Sequence, residues 1–553
     1  MLIFSLFSII HTMKSLTRRS LFKAVHAAAL PLWLPRSAWS QAQALPRSAD
    51  SPFKLGVASG SPTHDGVVLW TRLVDLGLLG QSALSASPVT VQWELAHDEQ
   101  FVRMAQRGQA QALPELAHSV HVELHGLEPD RWYFYRFIAG GVASPAGRTR
   151  TFPAPGAKAS ALRLAYASCQ KWEDGYFSAY THMLQEDLDV VLFLGDYLYE
   201  TPGTTGRIRR PNRTPSGGWL LTLDDYRARY ALYKAEPELQ AMHAACPWLM
   251  TWDDHEVQND YAGLTAGSTG KNSPAVDSFT ARRAAAYQAY YEHMPLRASV
   301  LTQALNGLSA GAEMRLYSHV AFGNLANMTL LDSRQYRSPQ ACTPEGNPGS
   351  GALDPRTCPS WNDPARSLLG KAQEQWLDRQ FQTAGSATWN IIGQQSLFGQ
   401  RDFRPGPDQF FWNDGWDGYA PARQRLTHSL QRHHVPNPVL LGGDVHENWV
   451  GHVKADYNNP RSESLGVEFC GTSITSRSSG STKTTEWLAE NPHFVFANTE
   501  RKGYGVVEFT PQRLTTTLRV VDSVTERRSQ VETLAKFEVA AGRAVIAAAV
   551  TPT

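Results

Sequence analysis

Four short apolar runs in this chain each end in side chains able to hold a metal. Val190-Val191-Leu192-Phe193-Leu194 runs into Gly195-Asp196-Tyr197-Leu198-Tyr199, and Leu164-Ala165-Tyr166-Ala167-Ser168 ends at Cys169. Trp248-Leu249-Met250-Thr251-Trp252 leads into Asp253-Asp254-His255-Glu256 with Asn259 close behind, and Pro438-Val439-Leu440-Leu441 leads into Gly442-Gly443-Asp444-Val445-His446. One strand ending in an acid is unremarkable, since Asp also caps helices. Four ending in metal-competent groups point to a shared site. Cys169, Asp196, Tyr199 and His446 offer S, O and N donors, two of them a thiolate and a phenolate when bound, and that set suits Fe³⁺ better than Zn²⁺ or Mg²⁺. Asp254, Asn259 and Asp444 offer hard oxygens of the kind that take Ca²⁺, Mg²⁺ or Mn²⁺. Asp196 is the natural bridge, because one carboxylate has two oxygens.

The motifs carry a resemblance. Calcineurin-like metallophosphoesterases place Asp-x-His, Gly-Asp-x-x, Gly-Asn-His-Glu/Asp and Gly-His-x-His at successive strand ends. Here Cys169 stands for the first Asp, Gly195-Asp196-x-x-Tyr199 keeps the second motif, Asp253-Asp254-His255-Glu256 replaces the third and Gly443-Asp444-x-His446 the fourth. This set resembles the alkaline phosphatase D family. Leu331-Asp332-Ser333-Arg334-Gln335-Tyr336-Arg337, Asp414-Gly415-Trp416-Asp417-Gly418-Tyr419 and the run Val467 to Thr475 extend the likeness over roughly residues 50 to 525. The resemblance implies one Fe³⁺ with Ca²⁺, in agreement with the ligand types, with Mg²⁺, Mn²⁺ or Zn²⁺ as substitutes. It implies hydrolysis of phosphate mono- and diesters, small or polymeric, through a metal-activated water. Alignment to the Asn of Gly-Asn-His-Glu favours Asp254 over Asp253 as the ligand, and it sets His255 beside the phosphoryl group as a catalytic residue. Arg334 and Arg337 are candidates to clamp phosphate; an arginine after a strand also serves as a structural ion pair. Two other functions share these residues: a phospholipase D-type diesterase on phospholipid or a teichoic-acid-like polymer, and a cell-surface binding protein built on an inactive phosphatase fold.

The chain that must position these groups reads in four parts. Residues 1–44 form a twin-arginine signal peptide, with Arg18 and Arg19 ahead of a weakly apolar stretch and small-x-small sites behind it. The alternative is an amphipathic anchor, for which the apolar run is short. No later stretch is long enough to span a bilayer. The twin-arginine signal implies passage through the twin-arginine export machinery and hence a periplasmic or extracellular protein, and a monomer is expected. Residues 50–155 show short alternating strands separated by turns, the pattern of an immunoglobulin or fibronectin-like β-sandwich. Residues 160–525 alternate strands with helix-like segments such as Leu223 to Tyr233 and Ser278 to His293, which predicts an α/β layered (αββα) metallophosphoesterase domain. Residues 526–553 read as a C-terminal tail, helical from about Val531.

Composition sets bounds. The chain has 553 residues, 42% of them hydrophobic, enough for at least two cores. With 52 basic and 51 acidic residues, a net charge of +1 removes bulk electrostatics as a basis for nucleic-acid binding. Of five cysteines, Cys169 is assigned to metal, and Cys246 and Cys470 lie beside apolar runs as packed residues. Cys342 and Cys358 bracket a Pro/Gly-rich loop and are either a disulfide or two free thiols.

Overall fold

The computed structural model describes residues 51–74, 87–202, 218–268, 278–302, 313–343, 348–459, 461–478, 480 and 482–547. The expected signal segment, with Arg18 and Arg19, lies outside them.

Two large sheets carry the molecule. One has nine strands in the spatial order Val531–Ala540, Arg513–Val521, Lys502–Phe509, Leu162–Ala167, Val190–Leu194, Trp248–Thr251, Val57–Gly60, Val67–Arg72 and Ser119–Leu124. The other has seven: Ser318–Phe322, Ala326–Leu330, Trp389–Gly393, Pro438–Gly442, Ser464–Cys470, Asn448–Lys454 and Phe494–Asn498. The central strands are parallel within each sheet: Leu162–Ala167, Val190–Leu194 and Trp248–Thr251 in the first, and Ala326–Leu330, Trp389–Gly393, Pro438–Gly442 and Ser464–Cys470 in the second.

The period of two along a strand decides what each residue touches. On Val190–Leu194, Leu192 and Leu194 join an apolar cluster with Met328, Ile391, Val439, Leu441 and Phe469 of the second sheet. Val191 and Phe193 point the other way, into a cluster with Tyr180, Tyr226, Tyr230, Met242, Tyr287 and Tyr290 from the helices Ser178–Met183, Leu223–Lys234, Pro237–Ala245 and Phe279–His293. On the far side of the second sheet, Ile392 and Leu440 meet Leu377, Phe381, Leu426 and Leu430 of the helices Lys371–Gln382 and Ala420–Arg432. A strand buried on both faces contributes roughly 1.5–3 kcal/mol for each fully buried Val, Leu or Phe, which explains why these runs are apolar without alternation. Helix starts are set locally: Thr222 and Asp225 form a reciprocal capping box, and Ser278 accepts from the Ala281 N–H at 3.2 Å.

The N-terminal β region pairs two sheets. Val57–Gly60, Val67–Arg72 and Ser119–Leu124 face a separate sheet of Met104–Ala112, Val89–Ala96, Trp132–Ala139 and Val142–Ala143 across a core that includes Val67, Leu69, Val91, Trp93, Tyr135 and Phe137. The first of these sheets is continuous with the large one, because Gly60 pairs with Trp248 in parallel.

The far end of the chain corrects an expectation. Val531–Ala540 is not helical; it is the edge strand of the nine-stranded sheet, paired antiparallel with Arg513–Val521. Its Ala535, Phe537 and Val539 are buried at alternate positions, so a period of two, matched to an available sheet edge, overrides the helix preference of its Glu, Lys and Ala residues. Cys342 and Cys358 are joined as a disulfide, while Cys169, Cys246 and Cys470 are free and buried. Among the described residues no helix is long and apolar enough to cross a membrane.

Candidate metal centre

The carboxyl ends of the parallel strands of both sheets meet, and the loops that follow them form the site. This is the place where open parallel sheets bind ligands. The loops are locked to one another by backbone bonds: Cys169 N–H to Gly195 O (3.1 Å), Gln170 N–H to Asp196 O (3.1 Å), Ile474 N–H to Ser168 O (3.0 Å) and Gly443 N–H to Gln395 O (2.7 Å). Gly195, at φ +106°, permits this approach, since a Cβ there would lie 2.5 Å from the Asp253 Cβ. Cys169, Asp196, Asp444 and His446 all have positive φ, between 58° and 64°. Four non-glycine residues held in the left-handed region within one site are strain that the surrounding packing has to impose.

Three groups expected from different strands converge. One ligand atom each of Cys169, Asp196 and His446 lies within 4.8 Å of the other two. The Tyr199 hydroxyl donates to Asp196 Oδ2 at 2.8 Å and lies 3.1 Å from His446 Nε2. Ser476 Oγ, 2.7 Å from both the Tyr199 Oη and the Cys169 carbonyl, ties the phenol to the first loop. His446 Nδ1 is 2.6 Å from the Arg477 carbonyl, which can only accept. The proton therefore sits on Nδ1 and the Nε2 lone pair faces the cluster, as a metal-ligating histidine requires.

Next to this cluster lie Asp254 and Asp444, which form a carboxylate group with Asp253, and Asp254 also groups with Asp196 and His255. Asn259 is brought to the same loop, its Nδ2 donating to the Ser268 carbonyl at 2.8 Å, so the amide oxygen is outside that bond. The floor is closed and one side is open: Cys169 and Asp196 are each 1% exposed and Tyr199 3%, whereas the side chains of Asp444, His446 and His255 are 25%, 21% and 15% exposed.

The electrostatics call for a cation. Burial, then the charge of Asp196, pushes the Cys169 thiol well above its ordinary range. Burial also raises Asp196 and Asp444 well above theirs, with neighbouring carboxylates adding to both. Burial and the nearby anions raise Tyr199 in the same way, while burial and Lys502 bring His446 down to about 3. Asp196 Oδ1 is buried with no hydrogen-bond partner. A buried thiol, phenol, imidazole and unpaired carboxylate oxygen cannot all offer lone pairs cheaply unless a positive ion compensates them. The donor set thus fits a bound metal.

His255 faces the open side. Its ring lies 4.1 Å from that of Tyr199, and its Nδ1 is 2.6 Å from Glu200 Oε2. Burial opposes a charge on His255, but Glu200, Asp196 and Asp254 outweigh it and raise the imidazole well above its usual value. Glu200 is completely buried and accepts the Asn259 N–H at 2.8 Å with its other oxygen.

Arg334 and Arg337 are not disposed as a phosphate clamp. Both are buried: Arg334 pairs with Asp253 and, at 2.7 Å, with Asp414, and Arg337 pairs with Asp414 at 2.8 Å while donating to the Ser333 carbonyl at 2.6 Å. Their charges are taken up by carboxylates that would otherwise be buried alone. Sequence reasoning also missed groups that hold the ligands. Glu256, 1% exposed, accepts the N–H groups of Asp196 (3.1 Å) and Asp253 (2.9 Å) on one oxygen and of Tyr197 (2.6 Å) on the other. Asp260 donates its N–H to Asp254 Oδ2 at 2.6 Å, and its own carboxylate accepts from Ser350. Glu256 belongs to a quoted motif, but no spacing rule reveals which backbone amides a buried carboxylate will meet.

Known proteins resemble this chain along most of its length. The profile of the PhoD-like phosphatase family matches residues 164–518, and that of the PhoD-like phosphatase N-terminal domain matches residues 38–153. The chain is 43% identical over 507 residues to alkaline phosphatase D of Bacillus subtilis (strain 168), covering 90% of this chain and 82% of that protein. A solved structure described as that of PhoD superposes with a TM-score of 0.84 at 41% identity, over 92% of this chain and 94% of the other. Family, relative and site concur: the chain belongs to the PhoD-like phosphatase family and is a phosphatase, a hydrolase of phosphoric esters.

Proposed function

We propose that the protein is an exported, metal-dependent phosphatase and phosphodiesterase whose centre holds Fe³⁺ on Cys169, Asp196, Tyr199 and His446 and Ca²⁺ on Asp196, Asp254, Asn259 and Asp444. The observation that carries this reading is the convergence of a thiol, a carboxylate and an imidazole with fixed tautomer on one buried point, beside a second set of hard oxygens. The two-sheet arrangement with helices outside supports the αββα layering of metallophosphoesterases. When bound, such cations supply Lewis acidity toward phosphate oxygens and a water of lowered pKa.

The chain's own residues do the rest. Asp196, with Oδ2 accepting from Tyr199 and Oδ1 buried without a hydrogen-bond partner, would offer an oxygen to each of the two positions. Glu200 fixes the His255 ring through Nδ1, so that Nε2 carries a proton toward the leaving oxygen of the ester. The buried floor excludes bulk water behind the phosphate, and the open side between Asp444, His446 and His255 admits the substrate. Arg18 and Arg19 direct export by the twin-arginine route.

The test is hydrolysis of an aryl phosphate monoester and the matching diester before and after chelation. Loss of both activities on metal removal, with recovery when iron and calcium are restored, is the expected result. Full turnover by metal-stripped protein would overturn the reading. A protein that cleaves only phospholipid diesters would favour the phospholipase D-type alternative. An Arg18→Lys, Arg19→Lys precursor should stay in the cytoplasm; unimpaired export of it would contradict the twin-arginine assignment.

A further inference from the structure

With Arg334 and Arg337 committed to carboxylates, any side-chain cation that meets the outer oxygens of a phosphate has to come from elsewhere in the site. Lys502 is buried and donates from Nζ to the His446 carbonyl at 2.8 Å, and Arg477 lies 3.4 Å from Asp174. His255 is engaged with Glu200. Lys171 differs. It follows the Cys169 turn by two residues and is half-buried, and among the described residues it makes no ion pair. Its backbone is fixed to the loop that also holds the phenol: the Lys171 N–H donates to Ser476 Oγ at 3.1 Å, and its carbonyl accepts from Thr475 Oγ1 at 2.7 Å. Its ammonium stands 5.3 Å from the centre of the Tyr199 ring, whose hydroxyl touches both Asp196 and His446.

We propose that Lys171 is a substrate-contacting residue whose ammonium meets a non-bridging oxygen of the phosphate group and sets the preference between esters of different charge. This rests on the metal-dependent reading of the same site. A compact ammonium beside an aromatic face, on a backbone pinned at both N–H and C=O and with no ion pair among the described residues, is a point charge left to meet an anion. A phosphate monoester brings two negative charges and a diester one, so the gain from that cation, which scales with the product of charges, is larger for the monoester. A lysine here also suits inorganic phosphate, the product, and should strengthen product inhibition.

The experiment compares wild type, Lys171→Met and Lys171→Arg as metal-loaded proteins. Three readouts are taken: metal content with the visible spectrum, kcat/KM on an aryl monoester and on its diester, and inhibition by inorganic phosphate. Lys171→Met should keep metal and spectrum and lose kcat/KM by roughly 10²-fold on the monoester but only about 10-fold on the diester, the scale of losing one positioned charge at a reacting phosphoryl group. Phosphate inhibition should weaken in parallel, and Lys171→Arg should restore most of both. Equal losses on the two esters, or kcat/KM and phosphate inhibition within twofold of wild type, would overturn the proposal. Loss of metal in Lys171→Met would also overturn it, making the lysine a support for Tyr199. A wild-type protein that carries no metal would refute the metal reading instead, which keeps the two failures apart.

Discussion

Glu256 tests whether the ligand loops are held by one buried carboxylate. Its two oxygens accept three backbone N–H groups, from Asp196 and Asp253 on Oε2 and from Tyr197 on Oε1. Glu256→Gln keeps the shape but must place an amide NH₂ where one oxygen was. In the best orientation the remaining oxygen keeps the Asp196 and Asp253 donors, and the new NH₂ opposes the Tyr197 N–H. That loses one charge-assisted hydrogen bond, about 1.5–3 kcal/mol, and leaves a buried N–H unpaired, about 1–3 kcal/mol. A total of roughly 2.5–6 kcal/mol follows, concentrated on the turn that carries Asp196. Opening that turn disturbs less structure than global unfolding, so the loss should appear first as weakened metal retention and turnover, and then as a lowered Tm. The assay is metal content after dialysis, kcat and Tm for Glu256→Gln and Glu256→Ala, with Ala the worse because it strands all three donors. A Glu256→Gln protein with unchanged metal content, kcat and Tm would refute the reasoning.

Three further outcomes are expected. His255→Ala should retain its metals and lose turnover by ~10²–10⁴, the contribution of one positioned acid–base group; metal analysis beside steady-state kinetics decides it, and loss of metal would make His255 a ligand. Lys234 is 1% exposed, 4.3 Å from the Trp70 ring centre, and burial lowers its pKa from 10.5 to about 7. A lowered lysine pKa penalises folding fully below pH 7, and the penalty fades as pH rises toward the unfolded value. The stability advantage of Lys234→Met over wild type should therefore shrink by roughly 2–3 kcal/mol between pH 7 and pH 9 in urea titrations; a pH-independent difference would mean that the rings keep the lysine charged. Replacing Cys342 and Cys358 together by Ser should cost about 3 kcal/mol in the chain-entropy account, read as a lower Tm under oxidising conditions only; equal melting of variant and wild type would contradict it.

The legible part of the sequence was the part governed by burial on both faces. Val190–Leu194 and Pro438–Gly442 are apolar without alternation because helices lie on one side and a second sheet on the other, and their ends point to Asp196, Asp444 and His446 directly. Cys169, Tyr199 and Asp254 followed from the same rule. The supporting residues did not. Glu200, Glu256 and Ser476 lie in loops with no period, and their partners, backbone groups together with the His255 ring and the Tyr199 hydroxyl, are ones that only the folded chain brings near. Arg334 carried a charge whose use depended on whether Asp253 and Asp414 or open space lay opposite. Val531–Ala540 contains the alternating pattern of a strand, but its residues favour a helix in isolation, and only the neighbouring Arg513–Val521 strand decides between them. That Val57–Gly60 also extends the large sheet rests on a single pairing, Gly60 with Trp248, which no local feature announces.

The central claim is that Cys169, Asp196, Tyr199 and His446 together hold iron, and the visible spectrum of the purified protein tests it most directly. Iron bound by a thiolate and a phenolate should give charge-transfer absorption in the visible, with metal analysis returning iron and calcium. Cys169→Ala should lose that absorption and most of the turnover. A colourless, active wild-type protein containing only zinc, or a Cys169→Ala variant with the absorption and activity of wild type, would contradict the account.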